Sequence, residues 1–187
     1  MFRYQYEEYE DYWTHNDMFI IKPHFDKCII SDLIEKKFCK LIFTNYDDFN
    51  CSILEYYNTE QFINRFNMGI FNKLVDNLPP HLIQIIFGYN FNQCVDNLPK
   101  LLIYLSFSVN FNQLVNNLPN QLTHLEFGYS FNQSIDNLPS SLTHLKLDIN
   151  YNMSIENLPN SIILLIIYSY YSRPLNNLPP TCKIIRY

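Results

Sequence analysis

FNQLVNNLPNQLTHLEFGYS, Phe111 to Ser130, decides the fold, because the chain repeats it in nearly the same form at a fixed step. Phe71, Phe91, Phe111, Phe131 and Tyr151 each open a twenty-residue copy, and Tyr171 opens a sixth that ends at Tyr187. No insertion disturbs the register across residues 71–187. A short, strictly kept period marks a solenoid, in which each unit buries its apolar face only by stacking on its neighbours.

Each position of the repeat has a physical task. With Phe111 as position 1, Leu122, Leu125 and Phe127 fall at positions 12, 15 and 17, and polar Glu126 separates the last two. That alternation predicts a strand with one buried face. The equivalent inward pairs are Ile85 and Phe87, Leu105 and Phe107, Leu145 and Leu147, Leu165 and Ile167, and Ile185 and Tyr187. Gly88 and Gly128 at position 18 suit a chain leaving the strand in a tight bend, and Asn90, Asn110 and Asn150 at position 20 suit a sharp corner. Phe at position 1, Val or Ile at position 5 and Leu at position 8 return to the core. Asn at position 7 and Pro at position 9 recur in all six copies, from Asn77 and Pro79 to Asn177 and Pro179. Proline lacks a donor, so the return arc turns there without a sheet bond. Too few residues separate it from the next strand for a helix.

Three regions follow. Residues 1–24 carry no repeat; Tyr4, Tyr6, Tyr9, Tyr12 and Trp13 among acidic residues read as a short irregular or partly helical segment that caps the first rung. Residues 25–70 hold two degenerate copies, opened by Phe25-Asp26 and Phe49-Asn50, as terminal repeats often are. Lys27 to Lys40 has near-helical apolar spacing and competes with the first of them. Residues 71–187 hold the six regular copies, the last truncated.

Composition narrows the function. A formal charge of −5 and a pI near 5.4 argue against a phosphate-binding surface, which needs clustered Lys and Arg, so no nucleic acid is expected. The absence of alanine and the abundance of Asn, Ile, Tyr and Phe are what an AT-rich genome writes. Cys28, Cys39, Cys51, Cys94 and Cys182 are odd in number with no paired spacing, which suits reduced thiols in the cytoplasm. The N-terminus has no basic stretch followed by an apolar run, so it is not read as a signal peptide. The run Ile162 to Tyr168 is far short of the ~20 residues that span a bilayer.

At this level of detail the residues resemble a known family. FNQ, then Val or Ile at position 5, Asp or Asn, Asn-Leu-Pro and finally LxxLxFG is similar to the FNIP repeat, a leucine-rich-repeat-like unit of amoebae and of giant viruses that infect them. The likeness is specific over 71–187 and weak over 25–70. It implies a mostly β repeat solenoid: a leucine-rich-repeat-like right-handed stack with a parallel sheet on its concave face and irregular convex arcs. Some viral relatives join such repeats to an F-box, implying substrate recruitment to a ubiquitin ligase. Residues 1–70 show no convincing F-box, so that adaptor role stays an alternative.

The side chains at positions 14, 16 and 18 should project from the open face of the sheet, where solenoids bind their partners. They are Gln84, Tyr104, His124, His144 and Leu164 in one row, and Ile86, Ser106, Glu126, Lys146 and Ile166 in the next. Ser108, Asp148 and Tyr168 belong to the third. Unlike the core positions, they vary in charge and size, and we expect them to bind a protein. A solvated, drifting face is the bland alternative. His124 and His144, one rung apart, could share a metal or sense pH, but no third ligand is evident and no metal or cofactor is expected. Ser106, His124 and Asp148 can be drawn as a triad, yet no nucleophile elbow accompanies them, and catalysis is not expected. Apolar Leu164 and Ile166, with the terminal strand beyond them, point to an end covered in use by a protein or by a second copy pairing at the C-terminal edge.

Overall fold

In the computed structural model the described residues are the strand segments 6–8, 12–15, 18–21 and 40–43, together with 71–76 and 78–187. They form one ten-stranded sheet whose spatial order follows the sequence. The strands are β1 (Tyr6–Glu8), β2 (Tyr12–His15), β3 (Met18–Ile21), β4 (Lys40–Phe43), β5 (Gln84–Ile86), β6 (Tyr104–Ser106), β7 (His124–Glu126), β8 (His144–Leu147), β9 (Leu164–Ile167) and β10 (Lys183–Arg186). All pairings from β3 to β10 are parallel, so the repeat region is a β solenoid with no helix among the described residues.

The N-terminal segment differs from its irregular or partly helical reading. It contains strands: β1 pairs antiparallel with β2, and β2 with β3. These strands lie outside the twenty-residue period. Within residues 25–70, β4 pairs parallel with β5, and Leu41 stands beside Ile85 in the ladder. That ladder passes directly from β4 to β5. The helical reading of Lys27 to Lys40 lies outside the described residues except at Lys40, which opens β4; the second degenerate copy lies wholly outside them.

Each rung turns three times. Backbone bonds close tight turns from position 9 to 12, as in Leu122 N–H to Pro119 O at 3.1 Å, and from position 18 to 1, as in Phe131 N–H to Gly128 O at 3.2 Å. A third turn is closed where Leu158 N–H reaches Ile155 O at 3.4 Å. Proline's carbonyl thus accepts a turn bond while its missing donor is not needed. The residues at positions 1, 5, 12, 15 and 17 are buried from the first regular copy to the fifth. Their aromatic members form a continuous stack. Phe107 lies on Phe111 with ring centroids 3.7 Å apart, Phe127 on Phe131 at 3.6 Å, and Phe111 follows Phe91 at 6.1 Å.

The asparagines tie rung to rung. At position 2, the Asn92 side-chain oxygen accepts the backbone N–H of Asn112 at 2.9 Å and the Gln113 amide at 3.0 Å, and the same pattern links Asn112 to Asn132 and Gln133. At position 7, Asn117 donates to Asp96 and Asn157 to Asp136 in the preceding rung. The bonds from Asn157 and, foremost, Ser134 hold the Asp136 carboxyl below its ordinary pKa. At position 20, Asn110 donates to the Asn90 side chain.

Two further expectations change. Gly128 has no positive φ, so bending is not the reason for glycine. A Cβ there would meet the Ser108 carbonyl oxygen at 2.3 Å, so the rungs approach too closely for a side chain. The second change is in β10, which pairs one residue out of step: Lys183 stands beside Leu164 and Ile184 beside Leu165, whereas inner rungs align position for position. A one-residue slip exchanges the faces of a strand. Ile184 and Arg186 therefore point to the core side, and Ile185 and Tyr187, expected inward, point out. Arg186 uses its guanidinium to cap the carbonyls of Ser169 and Tyr171.

Candidate interaction face

The strands set positions 14, 16 and 18 in three rows on the outward face. Tyr104, His124, His144 and Leu164 are neighbours in the first, and Ser106, Glu126, Lys146 and Ile166 in the second. Gln84, Tyr104, His124, Glu126, His144, Lys146, Asp148, Leu164, Ile166 and Tyr168 are half-buried and accessible. Ile86 and Ser106 are not: they are 1 % and 7 % exposed and belong to the packed part of the sheet. Gln84 stands at the margin of that covered region. The accessible face therefore begins at β6 and runs to the C-terminal edge.

Its centre is a set of bonded polar groups. The Tyr104 hydroxyl donates to Glu126 Oε1 at 2.6 Å, and Lys146 Nζ lies 3.8 Å from Glu126 Oε2. One carboxylate thus joins three strands. As a half-buried ion pair at the surface, Lys146–Glu126 adds only a fraction of a kcal/mol, ~0–1, but with the tyrosine it fixes three side chains in place. Beside it the His124 and His144 rings stack at 4.2 Å, within 9° of parallel, and Tyr104 flanks them at 6.1 Å.

The histidine tautomers follow from the preceding threonines. Thr123 Oγ1 donates its single proton to Ile103 O, and Thr143 Oγ1 to Thr123 O. Each hydroxyl also lies 2.8 Å from the Nδ1 of the next residue. A hydroxyl with its proton committed can only accept there, so the proton of each neutral ring sits on Nδ1 and Nε2 is left as the acceptor. Among the described residues no group of three His, Cys, Asp or Glu could hold a metal.

Burial, and then the neighbouring His144, lower the pKa of His124 below 6.5. The unfolded chain then binds a proton more readily than the folded one. This residue's share of the stability is complete above pH 6.5 and is lost as the pH falls through the folded value. We expect the urea midpoint to drop between about pH 7.5 and about pH 5, and His124→Gln to flatten that part of the dependence. An equal slope in both proteins would refute the assignment.

Toward β10 the face becomes apolar. Leu164 and Ile166 are joined there by Ile185 through the register slip. Tyr187 meets Tyr168 edge-on at 5.5 Å, and its hydroxyl reaches Leu147 O at 3.4 Å. Burial, followed by the Asp148 charge, raises the pKa of that phenol. Ile185 and Tyr187 were missed as face residues because a motif shows which residues alternate, not how a last strand pairs. Thr123 and Thr143 were also missed, although the Thr-His pair stands in two successive copies.

The geometry gathers no triad. His124 Nδ1 is engaged by Thr123 rather than Asp148, and Ser106 is buried. A depression of about 560 Å³ over the return arcs is lined by Asp96, Asn97, Lys100 and Asn117 among others, and Asp96, Asn97 and Asn117 are engaged in the inter-rung ladder. Among the described residues no helix is long and apolar enough to cross a membrane.

The FNIP Repeat family model matches residues 71–108, 95–130, 111–149 and 131–169, together more than half of the chain. No curated protein matches it. The period, the parallel solenoid and the family match agree, and the chain belongs to the FNIP repeat family, a repeat scaffold.

Proposed function

We propose that this protein is a non-catalytic interaction scaffold that receives a protein partner on its outward sheet face from Tyr104 to Tyr187. The observation that carries the reading is the division of that face. A preset polar half, with Tyr104, Glu126 and Lys146 bonded and both histidine tautomers fixed, adjoins an apolar half of Leu164, Ile166, Ile185, Tyr168 and Tyr187. Side chains already held in place lose little freedom on binding, and adjacent apolar and aromatic groups supply the desolvated centre of an interface. The free thiols Cys94 and Cys182 support a reducing, cytoplasmic setting.

The test is Leu164→Lys with Ile166→Lys. Both side chains are outward, so the fold should persist while partners recovered by affinity capture from native host cells fall at least about tenfold, the weight of one interface hot spot. An unchanged set of co-purifying proteins, with an unchanged thermal transition, would overturn the reading.

A further inference from the structure

We propose that this chain associates with itself head to tail, β10 of one copy pairing with β1 of the next. The inference goes beyond the binding role of the sheet face and does not depend on it. Three observations lead to it.

The first is direction. β1 is antiparallel to β2 and β2 to β3, so β1 runs with β3; every pairing from β3 to β10 is parallel. The two terminal strands of the sheet therefore run the same way. A second copy placed further along the stack can therefore bring its β1 alongside β10 as one more parallel strand.

The second is the edge. Lys183 and Tyr187 direct their N–H groups to β9. Alternate residues of a strand face alternate neighbours, so Ile184 and Arg186 present theirs to the open side. Ile184 is on the core side of β10 yet 37 % exposed. Among the described residues, β1 pairs with β2 alone.

The third is charge. β10 reads Lys183-Ile184-Ile185-Arg186 and β1 reads Tyr6-Glu7-Glu8. Two β10 edges set against each other would oppose cations, and two β1 edges would oppose carboxylates; like charges facing across strands are destabilising. Only the heterologous pairing sets opposite charges together. Basic residues on an edge strand commonly discourage pairing; here they select the acidic end. A heterologous contact leaves one free edge of each kind at the two ends of the assembly, so growth is open-ended wherever the rotation does not close a ring. Strands this short bury little area, which makes each junction weak.

Sedimentation velocity over a concentration series tests the proposal. The native chain should grow in mean mass with concentration, without a plateau at two copies, and less so at high salt. Ile184→Pro removes a donor that faces only the open edge and should hold the chain monomeric with an unchanged circular dichroism spectrum. Glu7→Lys with Glu8→Lys leaves β10 and the partner-binding face untouched and should have the same effect. Adding Lys183→Glu to that double variant should restore growth. A native chain of constant mass at every concentration would overturn the proposal. So would a dimer plateau that survives Glu7→Lys with Glu8→Lys, which would indicate a β10–β10 contact.

Discussion

Phe111→Ala should cost about 3–5 kcal/mol of folding stability, the range for emptying a buried aromatic site. Phe111 is fully buried, lies 3.7 Å from the ring of Phe107, and is stacked between Phe91 and Phe131 at 6.1 Å on either side. Truncation therefore opens a hole shared by three rungs. In a linear array stability is a sum of unit and junction contributions, so a lesion in the middle weakens two junctions. The same change at Tyr171, on the last rung, should cost less. Phe111→Tyr is the control. Tyr151 and Tyr171 occupy the same position and their hydroxyls find the carbonyls of Ser154 and Met153, so a hydroxyl at 111 should be tolerated. Urea denaturation of the three variants reads the differences. Equal losses at 111 and 171 would contradict the stacked-array account.

Gly128→Ala is the second change expected to act strongly. The added carbon would sit 2.3 Å from the Ser108 carbonyl oxygen, 2.5 Å from its carbonyl carbon and 3.1 Å from the Val109 nitrogen. All three are backbone atoms, so relief requires moving one rung away from another and disturbing the ladder on both sides. Overpacking costs typically ~1–3 kcal/mol when side chains can yield, and a backbone obstacle should place this variant at or above the upper end. Hydrogen exchange should show the loss around residues 127–131 first, ahead of the other rungs. A variant as stable as the parent would mean that the rungs separate freely there.

The contrast between these two positions shows what the sequence revealed. A buried ring at position 1 was legible, because an apolar residue recurring at fixed spacing can only be core. The inward pairs at positions 15 and 17 were legible for the same reason and are buried from Ile85 and Phe87 to Leu165 and Ile167. Gly128 was legible as special but for the wrong cause, since backbone proximity between rungs leaves no trace within one copy. The faces of Ile185 and Tyr187 were illegible: the slip of β10 depends on how the last strand meets β9. Among the candidate face residues, Tyr104 to Leu164 and Ser106 to Ile166 are neighbours across the strands, while the burial of Ile86 and Ser106 reflects packing that the repeat does not encode. β1 to β3 lie outside the twenty-residue period.

The asparagines at position 2 bear on how such a molecule changes over generations. Each side-chain oxygen serves the backbone of the copy that follows, and the link from Asn92 to Asn112 is the same as that from Asn132 to Asn152. Because every link spans one whole period, a duplication or deletion of twenty codons rejoins equivalent partners at the seam. A single inserted codon would break a seam on each side. The ladder thus tolerates recombination in whole units and resists it in fractions, so the length of the exposed sheet can be adjusted by gene-level copying without new folding solutions. Even an interruption can be absorbed locally: where Met153 lacks the amide of its counterparts, Arg173 in the next copy still reaches the Asn152 side chain at 3.2 Å.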